Sequence, residues 1–329
     1  MAERTRQGCI APKRPYTSAL NDRQRDLFPE TDPPSVKMEA NKDLFRAAVE
    51  VADANARALI DQLIAATRLY DSKAAFLELL DFTSRLRRFA PFNAMLLHIQ
   101  KPGLSHAATA PDWWARFKRL PKTGARPLLI LRTKGPVDFV FDIQDTEGEP
   151  VPESAFAFPT LGNLSEPRLS EILSHLPKNR IQLSAVDLGD QWAGWIKCTW
   201  KSPRPKGRHE YLLGFNKNHA GSTRLVTVAH ELGHLFLGHL GADPGRRVPD
   251  RRDRDLAFQE IEAETVAYLV ARRNGLKPKS EGYLDGFDDA FSDLDIHAVM
   301  RAVNAVETVM GISGQSYWDQ SQTIRLAEP

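Results

Sequence analysis

Cysteine is nearly absent: Cys9 and Cys198 are the only two in 329 residues. They lie far apart, which excludes a disulfide-stapled miniprotein and gives no reason to invoke a bridge. Long hydrophobic runs are missing as well. No stretch approaches the 18 or so consecutive apolar residues that a membrane-spanning helix needs, and the most apolar segment, Leu225 to Leu240, is broken by His230, Glu231, His234 and His239. Charge of one sign is also lacking, because 44 Lys and Arg against 42 Asp and Glu leave a net +2. Overall charge therefore selects no partner. No G-x-S-x-G, Walker loop or dinucleotide fingerprint occurs, and Cys198, in a Trp-flanked strand, reads as a small buried hydrophobe rather than a nucleophile. No apolar h-region follows Met1, so a cytoplasmic location is expected.

What is present is ordinary globular composition, 42% hydrophobic and 26% charged, on a chain long enough for two domains. Residues 1–40 carry basic groups and prolines with few large apolar side chains, so a disordered basic tail is expected. From Asn41 apolar residues recur at helical spacing as far as Ile64. Asp71 and Ser72 can cap a second helix through Phe76, Leu79, Leu80 and Phe82, and Pro91 can open a third through Met95 and Ile99. A short helix at Trp113 to Phe117 precedes two β-rich runs, Leu128 to Leu131 and Val137 to Phe141, which read as a hairpin. The acidic, proline-containing stretch after Asp145 is the candidate linker, with the boundary near residues 155–165.

Beyond it a helix is expected from Pro167 to Leu176, then strands at Ile181 to Val186, Trp195 to Trp200 and Tyr211 to Phe215. Helices follow at Thr223 to Leu237, Ala257 to Arg273, Tyr283 to Phe291 and Asp295 to Met310. The fold class expected is α+β: a helical and hairpin domain over 41–158, then a domain over 165–315 with a small sheet packed on helices, and a tail over 316–329.

His230-Glu231-Leu232-Gly233-His234 is an H-E-x-x-H sequence. On a helix its two imidazoles lie on one face and can share one ion. With nine His in 329 residues, a chance match has a probability of roughly one in seventy, so the motif is informative before its context is considered. The flanking Leu225, Val226, Val228, Leu232, Leu235 and Phe236 make this helix apolar nearly all round, hence buried, and its polar groups need partners. A hydrolytic zinc ion takes three protein ligands and keeps a fourth position for water, so a third ligand is owed. Glu262 shares a face with Val266 and Leu269, the buried stripe of the next helix, and is the choice. Glu260, at the start of that helix, simply suits the macrodipole. Glu264 is separated from Glu262 only weakly by periodicity. His239 is the other rival, five residues past His234 beside Gly238, and would need a broken helix end to reach an ion; otherwise it is a cap or surface residue.

The segment Ala229 to His239, followed by Glu262-Ala263-x-x-Val266-Ala267-Tyr268-Leu269, resembles the ImmA/IrrE-type zinc metallopeptidases. The resemblance implies a zincin-like metallopeptidase domain, one catalytic zinc ion held by His230, His234 and Glu262, and a regulatory or DNA-associated protein as substrate. Val266 stands where other peptidases of the Glu-ligand type often carry a second-shell Asp, which leaves open what orients His230 and His234.

In the first half, Phe92-Asn93-Ala94-Met95-Leu96-Leu97, Gln100-Lys101-Pro102, Trp114, Gly124 and Val140 to Gly148 resemble the N-terminal domain of ArdC-type antirestriction proteins. That resemblance implies single-stranded-DNA binding. Family members commonly read F-D-x-x-Q-T-E, and here Asp145 is inserted. Eleven bases against the single acid Asp112 between Ser84 and Gly135 agree with it, because cations tracking phosphates and aromatics stacking on bases are what sequence-tolerant single-strand binding requires. The candidate contacts are Arg85, Arg87, Arg88, Trp113, Trp114, Arg116, Lys118, Arg119 and Lys122.

The expected function is thus that of a zinc-dependent endopeptidase tethered to nucleic acid, with Glu231 as general base and the metal lowering the pKa of its water and polarising the scissile carbonyl. Tyr283 and His297 are candidate transition-state donors, each equally plausible as structural. The competing expectation is an antirestriction or plasmid-establishment DNA-binding protein whose zinc site is structural or vestigial, with His239 as a fourth ligand.

Overall fold

Ser72 opens the first helix among the described residues by accepting a hydrogen bond from the Ala75 amide, as its sequence position predicts. The computed structural model describes residues 72–132, 137–151, 164–187, 193–276 and 294–314. The tail over 1–40, the helix from Asn41, most of the linker, Tyr283 and the C-terminal tail lie outside the described residues. All described residues belong to one compact unit, Ala56–Pro329.

Helices α1 (Lys73–Arg85) and α2 (Pro91–Gln100) come first. Pro91 sits at a first-turn position of α2, where its missing N–H costs nothing. The short strand β1 (Ala107–Ala108), helix α3 (Ala110–Phe117), and strands β2 (Arg119–Pro121), β3 (Leu128–Leu131), β4 (Val137–Asp142) and β5 (Thr146–Gly148) follow. The predicted pairing of Leu128–Leu131 with the run from Val137 is antiparallel, within a sheet of order β1-β4-β3. The strands β1, β2 and β5, too short for periodicity to show, were not predicted.

The outer edge of β3 is closed by side chains of α2. Gln100 accepts from the Leu129 amide and donates to its carbonyl, at 2.8 and 2.9 Å. Asn93, two turns earlier on the same face, does the same for Leu131 at 2.9 and 3.0 Å. Two carboxamides thus stand in for a neighbouring strand.

Helix α4 (Glu166–Leu173) leads into a sheet of order β6-β8-β7, built from β6 (Ile181–Val186), β7 (Gly194–Trp200) and β8 (Glu210–Asn216). β6 runs parallel to β8, and β7 runs antiparallel to it along the other side. Helices α5 (Gly221–Leu237), α6 (Leu256–Arg273) and α7 (Ile296–Val309) complete the described chain. The result is a mixed α and β molecule with small sheets on several helices.

Phe76, Leu79, Leu80 and Met95 of α1 and α2 share a core with α4 to α7 and the second sheet, while Phe82, Leu86, Ala94 and Leu97 of the same helices face a smaller core with Leu128 and Val140. The first two helices therefore contribute to both cores. A buried ionic knot reinforces the join. Arg273 pairs with Glu307 at 2.8 Å, both side chains being 1% exposed. It also donates to the carbonyls of Thr83 and Phe89, and Arg87 donates to Asn274 at 2.6 Å. Among the described residues, no helix is long and apolar enough to cross a membrane.

Candidate metal centre

Helix α5 is apolar on most of its surface, and Leu225, Val228, Ala229, Leu232 and Leu235 are all essentially buried. His230 and His234, one turn apart, emerge at its margin. Their Nε2 atoms lie 3.1 Å from each other. The next helix comes close because residue 233 has no side chain: a Cβ there would lie 3.3 Å from the Ala263 backbone. Ala263 marks the crossing point, and Glu260, one turn before it on α6, reaches over the imidazole pair. Its carboxylate oxygens are 3.4 Å from His230 Nε2 and 3.5 Å from His234 Nε2.

His, His and Glu are a donor set suited to a divalent cation, and their ligating atoms all lie within 4.8 Å of one another. Three donors at about 2.1 Å from a tetrahedral centre are about 3.4 Å apart, close to these separations. The residues fit a metal ion.

The third member of this cluster is Glu260 and not Glu262. The Glu262 side chain is 1% exposed and points elsewhere, accepting from Arg251 at 2.6 Å and meeting His239 Nε2 at 3.0 Å. Glu260 is 51% exposed at the rim of the helix pair, whereas Glu262 lies within it. Residues 260 and 262 are about 200° apart around a helix, so one faces the rim and the other the interior. The useful signal was a matched spacing: Glu260 and Glu264 stand at i and i+4, like His230 and His234 on the facing helix. Glu264 meets His230 Nδ1 at 3.2 Å.

His239 is neither a cap nor a surface residue. Gly238 ends α5 in the left-handed region at φ +88°, and the His239 amide returns to the His234 carbonyl at 3.0 Å. This reversal swings the His239 ring back to within 3.0 Å, Nδ1 to Nδ1, of His234.

The electrostatics follow from these contacts. Burial opposes a charge on His230, but hydrogen bonds to Glu260 and Glu264 outweigh it and raise its pKa to about 9. Burial and the neighbouring His230 charge push His234 down to about 4. The hydrogen bond with His230 holds Glu260 below the ordinary carboxylate range. Burial pushes Glu231 up to about 7; the His230 charge opposes this and Glu260 adds to it. Burial would also raise Glu262, but the hydrogen bonds from His239 and Arg251 prevail and its pKa is lowered. His297 packs on the Phe92 ring, centroids 5.4 Å apart.

The nine candidate nucleic-acid contacts divide. Trp113 is fully buried and donates its indole N–H to the Phe141 carbonyl at 2.8 Å, and Arg87 is 4% exposed within the ionic knot. Both are corrected to structural residues. Arg119 donates to the Thr146 hydroxyl and to the carbonyls of Thr146, Gly148 and Glu149, fastening β2 to β5. Burial lowers the pKa of Arg88 to about 9, with Arg116 adding to the effect. Lys118 and Lys122 are exposed, Lys118 lying 5.2 Å over the ring of half-buried Trp114 and Lys122 donating to the Gln144 carbonyl. Arg85 is 58% exposed and pairs with Asp81. In the Val140 to Gly148 motif, fully buried Asp142 pairs with Lys101 at 2.7 Å, and inserted Asp145 with the same Lys101 at 2.9 Å.

No family model and no curated protein sequence matches the chain. Two solved structures of the antirestriction protein ArdC from the R388 plasmid are similar to it. The Mn(II)-bound one is 18% identical, covering 68% of this chain and 83% of its own with a TM-score of 0.35. The metal-free one is 17% identical over 69% and 84%, with a TM-score of 0.33.

Proposed function

We propose that the chain is a metal-dependent endopeptidase, with zinc as the expected ion, in which His230, His234 and Glu260 hold the ion and Glu231 is the general base. The observation that carries this reading is the cluster itself: the ligating atoms of His230, His234 and Glu260 lie within 4.8 Å of one another, with Glu231 next to His230 on the same helix. A divalent cation at such a set supplies Lewis-acid polarisation of a carbonyl and brings the pKa of water towards 7. Glu231 takes the proton from the attacking water and returns it to the leaving amine. A zincin-like reading of this half draws support from β7, which runs along α5: a Cβ on Gly194 would lie 3.4 Å from Glu231 Cγ. A regulatory or DNA-associated protein is the substrate this reading expects, with Lys118, Lys122, Trp114 and Arg85 contributing to single-stranded-DNA binding.

A second reading makes the chain a DNA-binding antirestriction protein whose metal site is structural or vestigial. It is favoured by the eleven bases against one acid between Ser84 and Gly135.

Metal content by mass spectrometry, with cleavage of a generic unfolded protein by wild type and Glu231→Gln, separates the two. The peptidase reading expects about one ion in both proteins and turnover lowered by about 10²–10⁴ in the variant. Unchanged cleavage by Glu231→Gln removes the base assignment. Metal-free protein that binds single strands and cleaves nothing leaves the second reading.

A further inference from the structure

We propose that Glu262 is a positioning residue that acts through His239 to fix the tautomer and orientation of His234, so that His234 presents Nε2 as a lone pair to the ion. The inference rests on the metal-centre reading above. Four side chains form an unbroken line: Arg251 to Glu262 at 2.6 Å, Glu262 to His239 Nε2 at 3.0 Å, His239 Nδ1 to His234 Nδ1 at 3.0 Å, and His234 Nε2 facing His230 Nε2 at 3.1 Å. Its polarity is read from the Arg251 end. A guanidinium only donates, so the carboxylate it grips is an acceptor on every side. His239 Nε2 must then carry the hydrogen it gives to Glu262. With a hydrogen on Nε2 alone, His239 offers Nδ1 as an acceptor. In that tautomer the short Nδ1 to Nδ1 contact is a hydrogen bond donated by His234, which leaves His234 Nε2 without a hydrogen, directed at the cluster.

Metal-binding imidazoles are commonly oriented by a carboxylate or carbonyl accepting from the other ring nitrogen, and loss of that partner costs about 10–100-fold in metal affinity. His230 has the direct form of this device in Glu264, at 3.2 Å. His234 has an extended form with a second imidazole inserted between the ligand and its carboxylate. Geometry explains the insertion: Glu262 lies on the interior face of α6, and the turn at Gly238 brings His239 into the gap. The His239 and Glu262 side chains are each 1% exposed, so water does not compete for these hydrogen bonds.

The test is zinc affinity of the full chain, measured by chelator competition near pH 7.5, for wild type, Glu262→Gln, His239→Phe and the double variant. Nitrogen-15 spectra of the imidazoles in the metal-free wild type accompany it. The expected result is one ion throughout, affinity about 10–100-fold weaker in each single variant, and a double variant no weaker than the weaker single. His234 should appear as the Nδ1–H form. Unchanged affinity in both single variants overturns the proposal. So does complete loss of the ion in Glu262→Gln with full affinity in His239→Phe, which would make Glu262 itself a ligand. A wild type that binds no zinc fails the metal-centre reading, and with it the premise of this inference. An Nε2–H form of His234 overturns the relay independently of any variant that does not fold.

Discussion

Glu260→Ala removes one donor of three and leaves the helix otherwise intact, because the side chain is 51% exposed. Zinc held by four ligands in small structural sites binds with about 10–16 kcal/mol, or about 3–4 kcal/mol per ligand, so loss of Glu260 should weaken zinc binding by about 10²–10³-fold. The pH dependence supplies a second, signed signature. In wild type the ion must displace the proton that His230 keeps up to about pH 9, so affinity should rise about tenfold per pH unit as pH climbs towards that value. Glu260 is one of the groups holding that proton in place. In the variant His230 loses its proton at lower pH, competition at acid pH is relieved, and the deficit relative to wild type widens from about pH 6 to about pH 8.5. Chelator competition across that range measures both. Wild-type affinity in Glu260→Ala, or a deficit that shrinks as pH rises, would refute the assignment.

Other perturbations probe the frame around the site. Gly238→Ala places a Cβ in the left-handed region and against the Pro249 carbonyl oxygen; the backbone cost alone is about 1–2 kcal/mol, so urea denaturation should show at least that loss, together with weaker zinc binding as His239 moves. Arg273→Ala leaves the Glu307 carboxylate buried without its ion pair, and the loss in urea denaturation should be about 3–5 kcal/mol. Lys118→Ala should lower the salt slope of single-stranded-DNA binding by about 0.7 and leave stability unchanged. Arg87→Ala should do the reverse, because Arg87 is a buried structural group.

Much of the fold was legible because its elements are long and strongly patterned. The ranges expected for β6, α5, α6 and α7 agree with the structure to within about two residues, and the Ser72 cap and first-turn Pro91 fall where local backbone chemistry puts them. The juxtaposition of His230 and His234 was legible for the same reason, since i, i+4 spacing on one helix needs no knowledge of anything else. Glu260 was not. Its selection depends on which face of α6 meets α5, and that is set by the close approach at Gly233, a contact between residues thirty apart. His239 reaches His234 by the broken helix end that its place beside Gly238 requires, because the left-handed Gly238 turns the chain back. In the basic segment, counting cations could not distinguish Lys118 on the surface from Arg87 in the interior, because composition carries no information about burial.

The carboxamides that close β3 also set how its amide hydrogens exchange with solvent. The Leu129 and Leu131 N–H groups point away from β4 and would meet water on an ordinary sheet edge, where exchange needs only local fraying. Here each is released only when α2 lifts away from the strand. Because α2 also seats Met95 in the larger core, that opening draws on the stability of the body of the molecule. These two edge amides should therefore exchange on the slow timescale of the core, making β3 a reporter of how tightly the basic segment is held to the helices that carry the metal centre.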